Sequence, residues 1–278
     1  MGNTPSAHAR LSRVLAERFG DTVEVPDSVE GVAELLRIAE HSSHRRYADR
    51  PVDPSLLDLL CACALSAPSK SDLQQGDIVQ VRDPALRAAI ADLIPSMPWV
   101  REAPAFLVFC ANGRRIRALS DLRGKAFAND HLDAFMNATV DAAIVMTTFL
   151  RAATAAGLGC CPISVIRNHA ETVSTLLALP DLVYPIAGLC VGYPAESGAI
   201  KPRLPLALTV HKERYDDSGF EEEIDAYDRR RPYDSQRDPE RFGTVETYGW
   251  SEDKARQYAV EQRADFGAFI RRRGFNLD

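Results

Sequence analysis

One run governs what this chain can fold into. Between His131 and Ala156 it is apolar nearly all round, with Phe135, Met136, Val140, Ile144, Val145, Met146, Phe149 and Leu150 spaced by alanines. A membrane helix needs about 20 residues with few polar ones, whereas this run also holds Asn137, Asp141, Arg151 and several threonines. It reads as a central helix, buried in a globular core or packed against a partner subunit. Gly157-Leu-Gly159 ends it.

The rest of the chain is arranged around that helix. At 278 residues it suffices for one large domain or two small ones. With 46% hydrophobic and 26% charged residues it has the balance of a folded globular protein, which excludes disordered and collagen-like classes. A net charge of −6 supplies no global positive field, so nucleic acid is not the expected partner. Arg10, Arg13, Glu17 and Arg18 interrupt any apolar stretch near the start, as a secretory signal would not allow. Met1-Gly2 with Ser6 fits a permissive myristoylation pattern only formally. The six cysteines lie in apolar runs without C-x-x-C spacing, so buried free thiols, no metal site and a cytoplasmic location are expected, with no membrane partner.

Residues 1–28 read as an N-terminal arm with one amphipathic stretch, Leu11, Val14, Leu15 and Phe19. Residues 29–232 form the main domain and 233–278 a charged extension that wraps it, with a final helix near 251–273. Within the main domain a helix with an Asp/Ser start runs to His41, and Pro54 opens another. DIVQVRD, AFLVFCA, CCPIS and YPIAGLCVGYP read as strands, with helices at PALRAAIADLI and HAETVSTLLAL. Strands and helices mix without a strict βαβα rhythm, so the expected class is α+β with a mixed sheet flanked by helices.

Several catalytic signatures are missing: no phosphate-binding P-loop, no G-x-S-x-G elbow, no H-E-x-x-H helix. The Gly157/Gly159 pair follows a helix and has Pro162 where a dinucleotide fingerprint needs its third glycine. What remains is a scattered set of anion binders. His41, Ser43, Arg45 and their neighbours lie at a helix end. Ser69-Lys70-Ser71 adds two hydroxyls and an ammonium, and Lys201-Pro202-Arg203 adds two cations. Together they suit one phosphate and a polar heterocycle.

The order of these segments resembles the flavin-dependent nitroreductase family, most closely its NfsA-type branch of NADPH-linked nitroreductases and flavin reductases. The resemblance rests on HSSHRRYADRPV, SAPSKSDLQ, GLGCCPISVIRN, LPDLVYPIAGLCVGYPA and KPRLPLALTVH, and it covers residues 38–230. It implies an intertwined homodimer with FMN as cofactor, NAD(P)H as electron donor and a small-molecule acceptor. Nitroaromatics, quinones or flavins would be reduced by a ping-pong two-electron mechanism. It further implies that His41 and Ser43 reach the phosphate and ribityl chain and that Arg45 lies by the pyrimidine edge. Ser69, Lys70 and Ser71 match a loop that comes from the second subunit. Pro162, Ile163, Ser164 and Val165 match the strand under the ring, and Lys201 and Arg203 the phosphate clamp. Arg45 and Ser164 are the candidates for tuning the flavin.

Three departures bear on specificity. Ser164-Val165 replaces a pair of glycines, Met97 stands in place of a glutamine, and Asp72 stands where Asn is common. A reductive dehalogenase or oxygen-using dehydrogenase on the same scaffold, or a flavin carrier without turnover, are the alternatives. Trp99 and Phe127 are candidates for stacking a planar substrate, with core packing the simpler role. Asp141 and Asn137 fit either a contact across a dimer seam or an internal hydrogen bond. Arg229, Arg230 and Arg231 fit either a second phosphate or a solvated face.

Overall fold

The computed structural model describes residues 6–278, so the Met1-Gly2 pattern lies outside the described residues. Helix α1, Ala7–Phe19, starts at Ser6, whose hydroxyl accepts the Ala9 N–H, and stops at Gly20 in the left-handed conformation. Helix α2, Val32–Ala39, begins only after Gly31, later than Asp27 and Ser28 led one to expect. Helix α3, Pro54–Leu65, is capped by the Asp53 carboxylate, with proline in the first turn, where its missing N–H costs nothing. Then come strand β1, Gly76–Gln80, helices α4, Pro84–Asp92, and α5, Trp99–Glu102, strand β2, Ala105–Asn112, and helix α6, Arg114–Leu122.

The central run is helix α7, Leu132–Ala155. Beyond it lie β3, Gly159–Ile163, a 3-10 turn at Ser164–His169, α8, Ala170–Leu176, and β4, Val183–Gly192. Helices α9, Leu206–Thr209, α10, Phe220–Arg230, α11, Pro239–Phe242, α12, Trp250–Tyr258, and α13, Phe266–Arg272, complete the chain. The single final helix expected near 251–273 is thus two. The polar Glu261-Gln262-Arg263 segment separates them, with Arg263 at φ 59. No helix among the described residues is long and apolar enough to cross a membrane.

The chain forms two compact units. One joins the chain up to Ser42 with Ala199–Gln262; the other joins Ser43–Gly198 with Arg263–Asp278. The second unit holds the sheet, in the order β1-β2-β4-β3, and every pairing between named strands is antiparallel. The mixed sheet expected from the sequence is therefore corrected. The helical excursions from β1 to β2 and from β3 to β4 re-enter the sheet at the end they left, so β1 and β2, and β3 and β4, run in opposite senses. The one parallel contact among the described residues is an isolated bridge from Ser43 to Cys160.

Both faces of this sheet are covered, which explains why AFLVFCA is apolar throughout instead of alternating. Leu107, Phe109 and Ala111 point into a core with Ala138, Ala142 and Phe149 of α7 and Phe269 and Ile270 of α13. Phe106, Val108 and Cys110 point into another with Ile90 of α4, Val100 of α5 and Val173 of α8. All six cysteines are free; four are buried, but Cys63 is exposed, because α3 buries Leu57, Leu60 and Ala64 and turns its other side outward. In the first unit a smaller core sets Leu11 and Val14 of α1 against Val32 and Ala39 of α2.

Candidate functional site

In the sheet-bearing unit, Ser43–Tyr47 runs along the free edge of β3. The Ser43–Cys160 bridge and the His44 N–H to Cys160 carbonyl bond, 2.9 Å, fix its start beside Cys160. The approach depends on Gly159, where a methyl group would come within 2.7 Å of the His44 ring. Tyr47 donates to the His44 carbonyl at 2.6 Å, and burial pushes its phenol far above the ordinary range, so the hydroxyl stays a donor. Ser43 and Arg45 are left exposed. The Arg45 guanidinium stands 5.6 Å from the centre of the Trp99 ring, and it opposes the upward push that burial gives the Cys161 thiol.

Pro162 and Ser164 are exposed, Val165 is half-buried, and the Ile163 side chain is in the core, so Ile163 can offer only its backbone. Ser164 and Val165 begin the 3-10 turn and do not continue the strand, a correction to the sequence reading: β3 pairs with β4 no further than Ile163. Met97 packs into the core. Phe127 lies under the Arg117 guanidinium, 5.2 Å from ring centre to carbon.

The Ser69–Ser71 loop is held from below by one buried carboxylate. Asp141 of α7, 1% exposed, accepts the Ser69 hydroxyl at 2.6 Å and the N–H groups of Lys70 and Gln75 at 3.0 Å each. Ser69 also accepts the Gln74 N–H at 2.7 Å, so its hydroxyl serves the loop. Ser71, Asp72 and Gln74 all have positive φ, a costly conformation for side-chain-bearing residues that these bonds sustain. Lys70 and Ser71 are thereby presented outward; Lys70 reaches Asp133 at 3.3 Å. Asn137 donates to the same Asp133. Of the two roles open to Asp141 in the sequence, the structure shows the internal one.

The first unit holds the other cations. Every carbonyl of Lys201-Pro202-Arg203 is occupied: Lys201 by Arg18, Pro202 by the Tyr227 hydroxyl and Arg231, both at 3.0 Å, and Arg203 by Arg230 at 3.3 Å. The strip is fixed through its backbone, and the Lys201 and Arg203 side chains are exposed. Arg230 and Arg231 thus have a structural task, neither of the two considered from sequence. Arg18, 5% exposed, also donates to the carbonyls of Ala39 and His41, while its own carbonyl accepts the Arg203 N–H at 2.6 Å. One residue therefore ties His41, Lys201 and Arg203 together. A signal for it was available: Leu11, Val14, Leu15 and Arg18 share one face of α1, so this arginine sits where an apolar residue belongs.

Each unit thus carries its own set of exposed cations or hydroxyls on a tied backbone, groups whose chemistry suits anions. The chain matches the model of the nitroreductase family over residues 38–193 and that of the nitroreductase family C-terminal domain over 201–278. The chain belongs to the nitroreductase family. It is 34% identical over 247 residues to an FMN reductase [NAD(P)H] of Bacillus subtilis (strain 168), covering 88% of this chain and 98% of that one. It is 32% identical over 243 residues to an oxygen-insensitive NADPH nitroreductase of Salmonella typhimurium, covering 84% and 95%. Among solved structures it resembles B. megaterium NfrA2 with a TM-score of 0.80 at 30% identity, over 88% of this chain and 98% of that one. Helix α1 and Arg18 precede the span of both family models.

Proposed function

We propose that this nitroreductase is a homodimeric, FMN-dependent oxidoreductase that uses NAD(P)H to reduce electron-poor acceptors, with nitroaromatics, quinones and flavins as the class. The observation that supports it best is the Lys201–Arg203 strip, whose carbonyls are all tied so that two cations face outward. The residues present fit FMN. Lys201, Arg203 and His41 would hold its phosphate, Ser43 would reach its ribityl chain, and Arg45 would face the pyrimidine edge. Lys70 and Ser71 would be supplied to the partner's cofactor. Backbone groups of Pro162–Val165 would line the ring.

FMN, when bound, would supply the two-electron hydride chemistry between NAD(P)H and the acceptor. The protein's own part is to bind and orient. A fixed guanidinium at Arg45 favours a ring that gains negative charge on reduction. Ser164-Val165, in place of two small residues, narrows the approach to the ring. The dimer reading is supported by Leu132, Met136 and Val140, which are exposed at four-residue spacing along one face of α7.

The test is direct. The purified protein is denatured and the released flavin identified. The holoenzyme is then mixed anaerobically with NADH and NADPH, and the flavin absorbance is followed before an acceptor panel is added. Release of FMN and rapid bleaching by either nucleotide are expected. FAD, or no flavin after reconstitution with FMN, would overturn the reading. Sedimentation should give twice the chain mass.

A further inference from the structure

Helix α1 lies outside the span of the family models, yet it carries the buried arginine that joins the two parts of the cationic strip. Each of the three guanidinium nitrogens of Arg18 faces a different carbonyl, those of Ala39, His41 and Lys201. No carboxylate pairs with it among the described residues. A planar fork of this kind fixes three backbone points at once, which the point charge of a lysine cannot do. The helix is seated for the purpose. Leu11 and Val14 anchor it on α2, and Gly20 ends it in the left-handed conformation. Leu11, Leu15, Phe19, Leu35 and Ile38 wall an apolar cavity of about 430 Å³ that has Arg203 at its border. Arg203 lies close enough to Arg18 to add to burial in lowering its pKa, with Glu17 opposing that less strongly, so the pair leaves a local excess of positive charge.

We propose that α1 is a working part of the phosphate clamp and that Arg18 is a positioning residue, setting the backbone of His41 and of Lys201–Arg203 for an organic phosphate. The proposal rests on the reading of these residues as the FMN clamp. Its effect falls on the phosphate alone, so the discriminating measurement compares FMN with riboflavin, which has the same ring and ribityl chain without the phosphate.

Apoprotein of the full chain and its Arg18→Met and Arg18→Lys variants are titrated with FMN and with riboflavin, read by quenching of flavin fluorescence. The parent should prefer FMN. Arg18→Met should weaken FMN by about tenfold and riboflavin by less than about twofold, and Arg18→Lys should restore part of the preference. An Arg18→Met protein with the parent's preference overturns the proposal. So does equal weakening of both flavins, which marks Arg18 as a support of the fold alone. A parent that binds riboflavin as well as FMN removes the clamp and the proposal together, whereas an indifferent Arg18 in a parent that prefers FMN leaves the proposed function standing. Hydrogen exchange on the parent needs no variant. FMN should slow exchange of the α1 amides more than riboflavin does, and equal protection overturns the proposal.

Discussion

The Lys201–Arg203 strip and the Ser69–Ser71 loop present exposed cations, and they are held by opposite means. The strip is held by buried and half-buried cations: Arg18, Arg230 and Arg231, with the Tyr227 hydroxyl, donate to its carbonyls. The loop is held by a buried anion, with Asp141 accepting from two backbone N–H groups and a hydroxyl. In the strip the holders add to the positive field; in the loop the holder subtracts from it. The strip's frame thus makes its surroundings more positive, and the loop's frame makes its own less so. Redundancy differs as well, since four side chains donate to the three carbonyls of the strip, whereas in the loop three donors share a single carboxylate.

The largest break in this comparison should come from Asp141→Ala. It strands three donors, one buried and two part-buried, and releases three residues from positive φ, and it should destabilise the protein by about 2–3 kcal/mol, read as a shift in the urea midpoint. A loss below about 1 kcal/mol would show that solvent takes over the loop donors at no cost, against the single-holder account. Gly20→Ala tests the strip from behind. A side chain at φ 83 is strained, and its methyl group would meet the Arg230 guanidinium. A cost of about 1–2 kcal/mol in thermal or chemical unfolding is expected.

Smaller effects sharpen the redundancy. Tyr227→Phe removes one of two donors to the Pro202 carbonyl and should cost about 1 kcal/mol, with Arg231 retaining the bond and the strip keeping its anion affinity. An anion affinity that collapses would mean that the strip has no reserve. Last, Lys70→Met deletes an exposed ion pair with Asp133 and should leave the melting temperature where it is, because the loop's frame lies in Asp141. A clear drop would transfer part of the frame to the lysine.

Much of the fold was legible because it follows local rules. The Asp-Pro starts of α3 and α4, the apolar α7 and the four strands are written in capping residues and periodicity. Strand direction was not, since a helical connection of given length fits a parallel or an antiparallel neighbour alike. The break between α12 and α13 was missed because Glu261-Gln262-Arg263 contains no glycine or proline to announce it.

The site divides along the same line. Its cations and hydroxyls stand in the sequence as three short segments, and their order together with GLGCCPISVIRN and LPDLVYPIAGLCVGYPA indicated the family. That Arg18 and Asp141 fix the backbones of two of those segments was decided only in three dimensions. Arg18 is 183 residues from Lys201 and Asp141 is 72 from Ser69, so no local pattern records either contact. The chain by itself determined which groups are available to bind an anion, because charge and donor inventory belong to residue types. Which of them face outward and which are consumed inside was settled by burial, since a buried charge must find its partners in whatever the fold brings beside it.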